Sequence, residues 1–293
     1  MPDKSKSKID EFVRAGDEAH EFSDASVDAF HQQALEEIDD LFRSLDNRDE
    51  ELWDDLGADD TDTIADLEDE DNEDRDLMWL LGMSWLSMAS TVQGFLDNRE
   101  DLIIRPVAYR EQLLDGFDLS SEELVSAGKR GSLGSAVEIV GRFETVQAKY
   151  LDDLSFLRDM DNVELFRTLR KYNALPSPAK ILSDSMGYVS RMTEYKAGTD
   201  QWKGAVADLI NHDSTRVMKG INRQAVRGIY QERDRDGDDS RPMVWIGEGG
   251  NPCGPCQDRF GEIKTWAQWV IDGMPPTGCL GNWLCKCVLY AVR

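Results

Sequence analysis

The sequence predicts an α+β protein, predominantly α-helical, that ends in a small cysteine-rich, β-containing unit tied by metal. Three observations predict it. Apolar residues recur at helical spacing over most of the first 233 positions. Strand-like apolar runs come late, at 243–246 (MVWI) and 288–292 (VLYAV). All five cysteines, Cys253, Cys256, Cys279, Cys285 and Cys287, fall within the last 41 of 293 residues.

From the start, residues 1–45 read as amphipathic helix, with Phe12, Val13, Phe22, Val27, Phe30, Ala34, Ile38, Leu41, Phe42 and Leu45 near helical spacing. Ser23 or Asp24 is placed to cap a second helix there. Residues 46–76 are strongly acidic and read as a solvated connector; they lack the spacing of a calcium loop. Residues 77–96 carry no charge over 20 positions, long enough to cross a bilayer. Their serines and glycines, and the acidic flanks, instead predict a helix buried against protein, with no stable membrane insertion. Residues 1–10 contain no apolar core of a secretory leader, so none is expected.

Beyond Pro106, Ser120-Ser121-Glu122-Glu123 reads as a helix cap followed by an acidic first turn. Residues 129–134 (KRGSLG) are a break without the pattern of a phosphate loop. Residues 136–157, 163–172, 179–192 and 202–210 read as helices, with Pro176 and Pro178 between the second and third. A long helix is predicted over 213–233. It carries Arg216, Lys219, Arg223 and Arg227 near one face, read as a solvated stripe or a contact to DNA inside a particle. A charged turn at 233–241, the first strand, a turn around Gly261, a short helix at 265–271 and the terminal strand complete the order. Trp245, Trp266, Trp269 and Trp283 are the expected core of this last unit. Three segments follow: 1–76, an acidic helical or flexible region; 77–210, helical; and 211–293, with the cysteine cluster.

Composition narrows the setting. The net charge is −25, from 58 acidic and 33 basic residues, with 37 Asp and only 12 Lys. Such a surface repels itself at low salt and is screened at high salt, where the Debye length is about 3 Å at 1 M. It resembles the proteins of halophilic archaea and their viruses. The charge argues against broad nucleic-acid binding, which needs a basic footprint. No metal-hydrolase H-E-x-x-H, Ser/His/Asp set or nucleotide loop is visible, and the three histidines, His20, His31 and His212, are distant in sequence from the cysteines. A non-enzymatic protein is expected.

The cysteine spacing, C-x2-C, 22 residues, C-x5-C-x-C, offers thiolates to one tetrahedral ion, most naturally a structural zinc. Five thiols exceed four ligand positions. The reading takes Cys253, Cys256, Cys279 and one of Cys285 and Cys287. Two disulfides with one thiol left over also fit the count. So does redox chemistry at Cys253-Gly-Pro-Cys256, although a redox motif should open a helix in a βαβ unit. With zinc in place, Cys256→Ala is expected to unfold roughly the last 50 residues and to leave the helical part nearly untouched.

The order of parts also carries a resemblance. A long helix with Asn222, Arg223 and Ala225 leads to a charged turn, then to the Trp245 strand and Cys253-x-x-Cys256. Gly261, Pro275-Pro276, Cys285-Lys286-Cys287 and a final apolar strand follow. This resembles the C-terminal domain of the phage Mu protein F-like minor head proteins, the head morphogenesis family of tailed viruses, over about residues 213–293. In that family a histidine follows the paired prolines. Here Cys279 stands near that position, and residues 280–284 are inserted before Cys285. The resemblance implies that Cys279 replaces the histidine in an all-cysteine site. It implies a minor capsid protein acting in head assembly near the portal, with the portal protein, the major capsid protein and packaged DNA as partners. The expected location is the virion, and the host cytoplasm during assembly. The alternatives kept are a zinc-ribbon-type binding adaptor and a thiol oxidoreductase.

Overall fold

The computed structural model describes residues 7–30, 92–130, 146–171, 217–248, 252–275, 278–281 and 284–292, with isolated positions at 194, 201, 204, 205 and 208. The chain divides into two compact units. The first gathers Met1–Val27, Val92–Ser177 and Arg216–Arg293; the second comprises Asp28–Thr91 and Pro178–Thr215. The first unit thus draws on all three expected segments, and the described residues lie almost entirely within it.

It is α+β: mostly helical, with one small antiparallel sheet. Helix α1 covers residues 7–30. A π-helical turn, Glu100–Ile104, runs into α2, Arg105–Leu114. Then come α3, Ser121–Arg130, and the short helices α4, Ala148–Asp152, α5, Ser155–Asp159, and α6, Asn162–Lys171. Helix α7, Met218–Arg235, precedes strand β1, Pro242–Ile246. The four-residue α8, Gly254–Gln257, β2, Ile263–Thr265, α9, Trp266–Asp272, and β3, Val288–Ala291, complete the unit.

The strand order is β2-β1-β3, both pairings antiparallel. Side chains alternate faces along a strand, so an unbroken apolar run is buried on both sides. That is how β1 and β3 are used. Val244 pairs with Tyr290 and Ile246 with Val288, and all four enter a core with Ile9, Phe12, Val13, Leu124 and Ala127 of α1 and α3. Met243 pairs with Ala291 and Trp245 with Leu289; these enter a second core with Trp266, Trp269, Cys256, Cys285 and Cys287. One sheet therefore joins a helical layer to a cysteine layer. Trp269 donates its indole N–H to the Met243 carbonyl at 3.0 Å. Trp245 and Trp269 are essentially inaccessible; Trp283 lies outside the described residues.

The cap read at Ser120 forms, and a second one that the sequence reading did not name forms at Thr265. The Ser120 hydroxyl accepts from the Glu123 N–H and the Glu123 carboxylate accepts from the Ser120 N–H, a capping box that starts α3. Thr265 and Gln268 form a second one at α9. In the charged turn, Asp236 adopts φ 56° as the C-cap of α7. Asp238 holds the N–H and hydroxyl of Ser240, and Asp234 accepts the Ala291 N–H, so these carboxylates serve the turn and the sheet.

Two readings change. Ser23 and Asp24 cap nothing, because residues 7–30 form one continuous helix. Their side chains are taken instead by partners on α7, Ser23 by Asn222 and Asp24 by Arg223. Two members of the basic stripe, Arg223 and Arg227, do not form a solvated face either; Arg216 lies outside the described residues. Arg227 is 4% exposed, and Arg223 is held in an ion pair with Asp24. Of the uncharged segment 77–96, residues 92–96 are helical, with Phe95 and Leu96 buried; 77–91 lie outside the described residues. So do the acidic connector 46–76, His31, His212, and nearly all of the helices read at 179–192 and 202–210. Among the described residues no helix is long and apolar enough to cross a membrane.

Candidate metal centre

Each cysteine owes its position to a different piece of local structure. Cys253 is the N-cap of α8, with an extended backbone, and Pro255 occupies the first turn, where its missing N–H costs nothing. The N–H groups of Cys256 and Gln257 return to the Cys253 carbonyl at 3.0 Å, so the C-x-x-C turn brings both thiols to one side. Strand β1 must release the chain into this turn and β2 must bring it back. Gly261, at φ +81°, makes that return, its N–H bonded to the Trp245 carbonyl at 3.0 Å. Cys279 arrives on the loop after α9. Cys285 and Cys287 lie in the run leading straight into β3.

The five thiols converge. Cys253 Sγ is 3.6 Å from Cys279 Sγ, Cys256 Sγ is 3.5 Å from Cys279 Sγ, and Cys256 Sγ is 3.8 Å from Cys285 Sγ. Two groups can each hold a metal ion: Cys253, Cys256 and Cys279, and Cys256, Cys285 and Cys287. Within each, every sulfur lies within 4.8 Å of the others. Cys256 belongs to both. Sulfurs bound tetrahedrally at about 2.3 Å from one ion are separated by about 3.8 Å, the edge of that tetrahedron. The closest separations therefore fit thiolates around an ion. All five thiols are free, and a disulfide would require sulfurs at about 2.05 Å.

Electrostatics point the same way. Five thiols this close cannot all ionise without a cation. The thiols of Cys279, Cys285 and Cys287 around Cys256 push its pKa far up. Cys285 is held far down because the thiols of Cys256, Cys279 and Cys287 donate to it, with help from Arg227. Cys256 pulls Cys279 down, but Cys285 and burial outweigh it and leave it pushed up to about 11. Cys253, despite the opposing effect of burial, is held below the usual thiol range by the N–H groups of Cys256 and Leu280. A bound cation would let several of these thiols ionise together.

The surroundings hold residues that the sequence did not mark. A cavity of about 440 Å3 is lined by all five cysteines and by Glu248. Glu248 is 3% exposed and paired with Arg110, with the Tyr290 hydroxyl, and with His20 at 3.0 Å. Burial opposes its ionisation, yet Arg110 and His20 hold its carboxyl below the usual range. Helix α1 approaches so closely here that a Cβ on Gly16 would stand 2.8 Å from the Glu248 carboxylate. His20 is thus beside the cysteine loop in space, although 265 positions separate it from Cys285. Arg223 and Arg227 did carry a sequence signal, their i, i+4 spacing, which fixes a helix face but not what lies opposite it.

The redox alternative asks for a helix in a βαβ unit. Here the motif opens a four-residue helix between antiparallel strands, with Cys279 in contact with both of its thiols. No family model, curated protein or solved structure matches the chain.

Proposed function

We propose that this chain is a minor head protein of a tailed virus, a non-enzymatic structural component acting in capsid assembly near the portal vertex. One structural zinc ion ties its C-terminal unit. The observation that carries the reading is the ordered series after residue 213: α7, the Trp245 strand, the C-x-x-C turn, the Gly261 return, the paired prolines, Cys279, C-x-C and β3. The series gathers five thiols into one cluster. The portal protein and the major capsid protein are the proposed neighbours, with packaged DNA as a third partner. The acidic composition fits a virus whose host lives in high salt.

Zinc suits the donor set because soft thiolates at tetrahedral edge distances favour a closed, four-coordinate site. Cys253, Cys256, Cys279 and Cys285 form a connected run of close sulfurs and are the proposed ligands. The ion would neutralise crowded thiolates and brace the cysteine layer of the sheet. Two experiments test the proposal. Protein purified without reductant should carry one zinc per chain, with thiols titratable only after chelation; no metal and a single free thiol would overturn the zinc assignment. Purified virions should contain the chain, and its absence from them would overturn the head-protein reading.

One observation favours a second reading, thiol oxidoreduction: Cys253 caps a helix and its thiol is held low. It predicts insulin-disulfide reduction that disappears in Cys253→Ser.

A further inference from the structure

The loop that carries Cys285 and Cys287 is gripped from behind. Its thiols gather with Cys256, while each carbonyl from 284 to 287 meets a side chain from another element. Arg223 Nη1 donates to the Leu284 carbonyl at 3.0 Å. Arg227 Nη1 reaches the carbonyls of Cys285 and Cys287 at 3.5 and 3.4 Å. His20 Nε2 lies 2.7 Å from the Lys286 carbonyl. The Lys286 ammonium pairs with Asp24 at 3.0 Å, and Asp24 in turn takes a two-pronged bond from Arg223 at 2.9 and 2.8 Å.

The grip comes from two helix faces. Arg223 and Arg227 are four apart on α7; His20 and Asp24 are four apart on α1. A thiolate site needs neither helix for its donor atoms. It does need the backbone of 284–287 held so that both thiols face Cys256, and these contacts hold it. Helix α1 has two distinct attachments. Its first half is anchored by Ile9, Phe12 and Val13 in the helical core, where Phe12 packs edge-on against Phe117 and Tyr290. Its second half is attached through His20, Ser23 and Asp24, two of which touch the cysteine loop, and through Phe22 stacked on Tyr109 and the buried Val27.

We propose that ion binding at the cysteine cluster and docking of residues 20–27 are thermodynamically linked, with His20, Asp24 and Arg227 acting as positioning residues for the ligands. The inference rests on the metal reading above. Linkage is reciprocal: if the bound ion favours the gripped loop, the grip raises ion affinity by the same factor. Residues 20–27 are also the last stretch of the first unit before the chain passes to the second at Asp28. Occupancy of the cluster therefore sets how firmly the chain is held at its exit from this unit.

The test uses the full-length chain and zinc alone, with affinity read by competition against a chromophoric chelator. Asp24→Asn and His20→Gln should each weaken zinc by roughly tenfold, the scale of losses when groups orienting metal ligands are removed. Phe12→Leu, which loosens the other half of α1, should stay within twofold. Hydrogen exchange of the wild-type chain supplies a readout that needs no variant. Chelation should speed exchange at residues 20–27 by a larger factor than at 9–15, which follow only the stability of the unit as a whole. Zinc bound with unchanged affinity in both loop-facing variants, or exchange at 20–27 that speeds no more than exchange at 9–15, overturns the linkage alone. A wild-type chain that binds no zinc overturns the metal reading and the linkage with it.

Discussion

Asp24, half-buried, and Glu248, buried, are carboxylates held ionised by basic partners, and each makes a measurable prediction. For Asp24, burial works against ionisation, but hydrogen bonds and charge from Arg223, with Lys286 added, lower its pKa to about 2 from 3.8. A folded-state pKa below the unfolded one gives stability that is present above the unfolded value and lost as pH falls through the folded one. The window is therefore about pH 4 to 2. With its side chain only 19% exposed, the pairing is worth about 2 kcal/mol at pH 7. Asp24→Asn should lose that amount in urea denaturation at pH 7, and the gap from wild type should close below pH 4. Glu248 lies deeper. Removing it strands Arg110, which is 1% exposed and has no other ion pair among the described residues. Breaking a buried pair on one side costs about 3–5 kcal/mol. Glu248→Ala should therefore cost more than Asp24→Asn, and a loss under 1 kcal/mol would mean that Arg110 finds another partner.

At the scale of elements, the sheet depends on how closely α3 lies against it. A Cβ on Gly128 would stand 2.7 Å from the Gly261 nitrogen and 2.9 Å from the Trp245 carbonyl. Both atoms are backbone, and they share the bond that closes the Gly261 return, so neither can yield without opening the turn that delivers Cys253 and Cys256. Gly128→Ala should cost about 1–3 kcal/mol, the usual penalty of forced overpacking. Ser120→Ala, which removes one half of a capping box at the other end of α3, should cost about 1 kcal/mol. Thermal melts of the two variants rank them. These elements also show where sequence reasoning reaches. The capping boxes, the αL turn at Asp236 and the cysteine turn are local, because the residues that form them are neighbours in the chain. Strands β1 and β3 were legible as strands from their apolar runs, whereas their burial between two cores came only from the fold. The unbroken course of α1 was not legible. Ser23 and Asp24 look like caps because hydroxyls and carboxylates usually bond nearby N–H groups, and their actual partners, Asn222 and Arg223, lie 199 positions away. Arg227 read as part of a solvated stripe or a DNA contact because spacing fixes a helix face, and only the fold supplies the carbonyls it meets.

For the whole molecule, the arrangement alters what loss of an ion bound at the proposed zinc site should do. Read from sequence, the last 50 residues form a separate knob, and Cys256→Ala unfolds them alone. Among the described residues no such seam exists. Trp245 and Leu289 face the cysteine layer, while Val244 and Tyr290, their neighbours in the same two strands, face α1 and α3. A strand cannot leave one core and remain in the other. Chelation or Cys256→Ala should therefore lower the melting temperature of the first unit as a whole, in one transition followed identically by tryptophan fluorescence and helical circular dichroism. With free ion a thousandfold above its dissociation constant, binding contributes about 4 kcal/mol. For a unit of this size that corresponds to a fall of roughly 10 °C. Two separated transitions, with the helical signal unmoved by chelation, would restore the independent knob. They would also mean that the helical face of the sheet stands without the cysteine layer behind it.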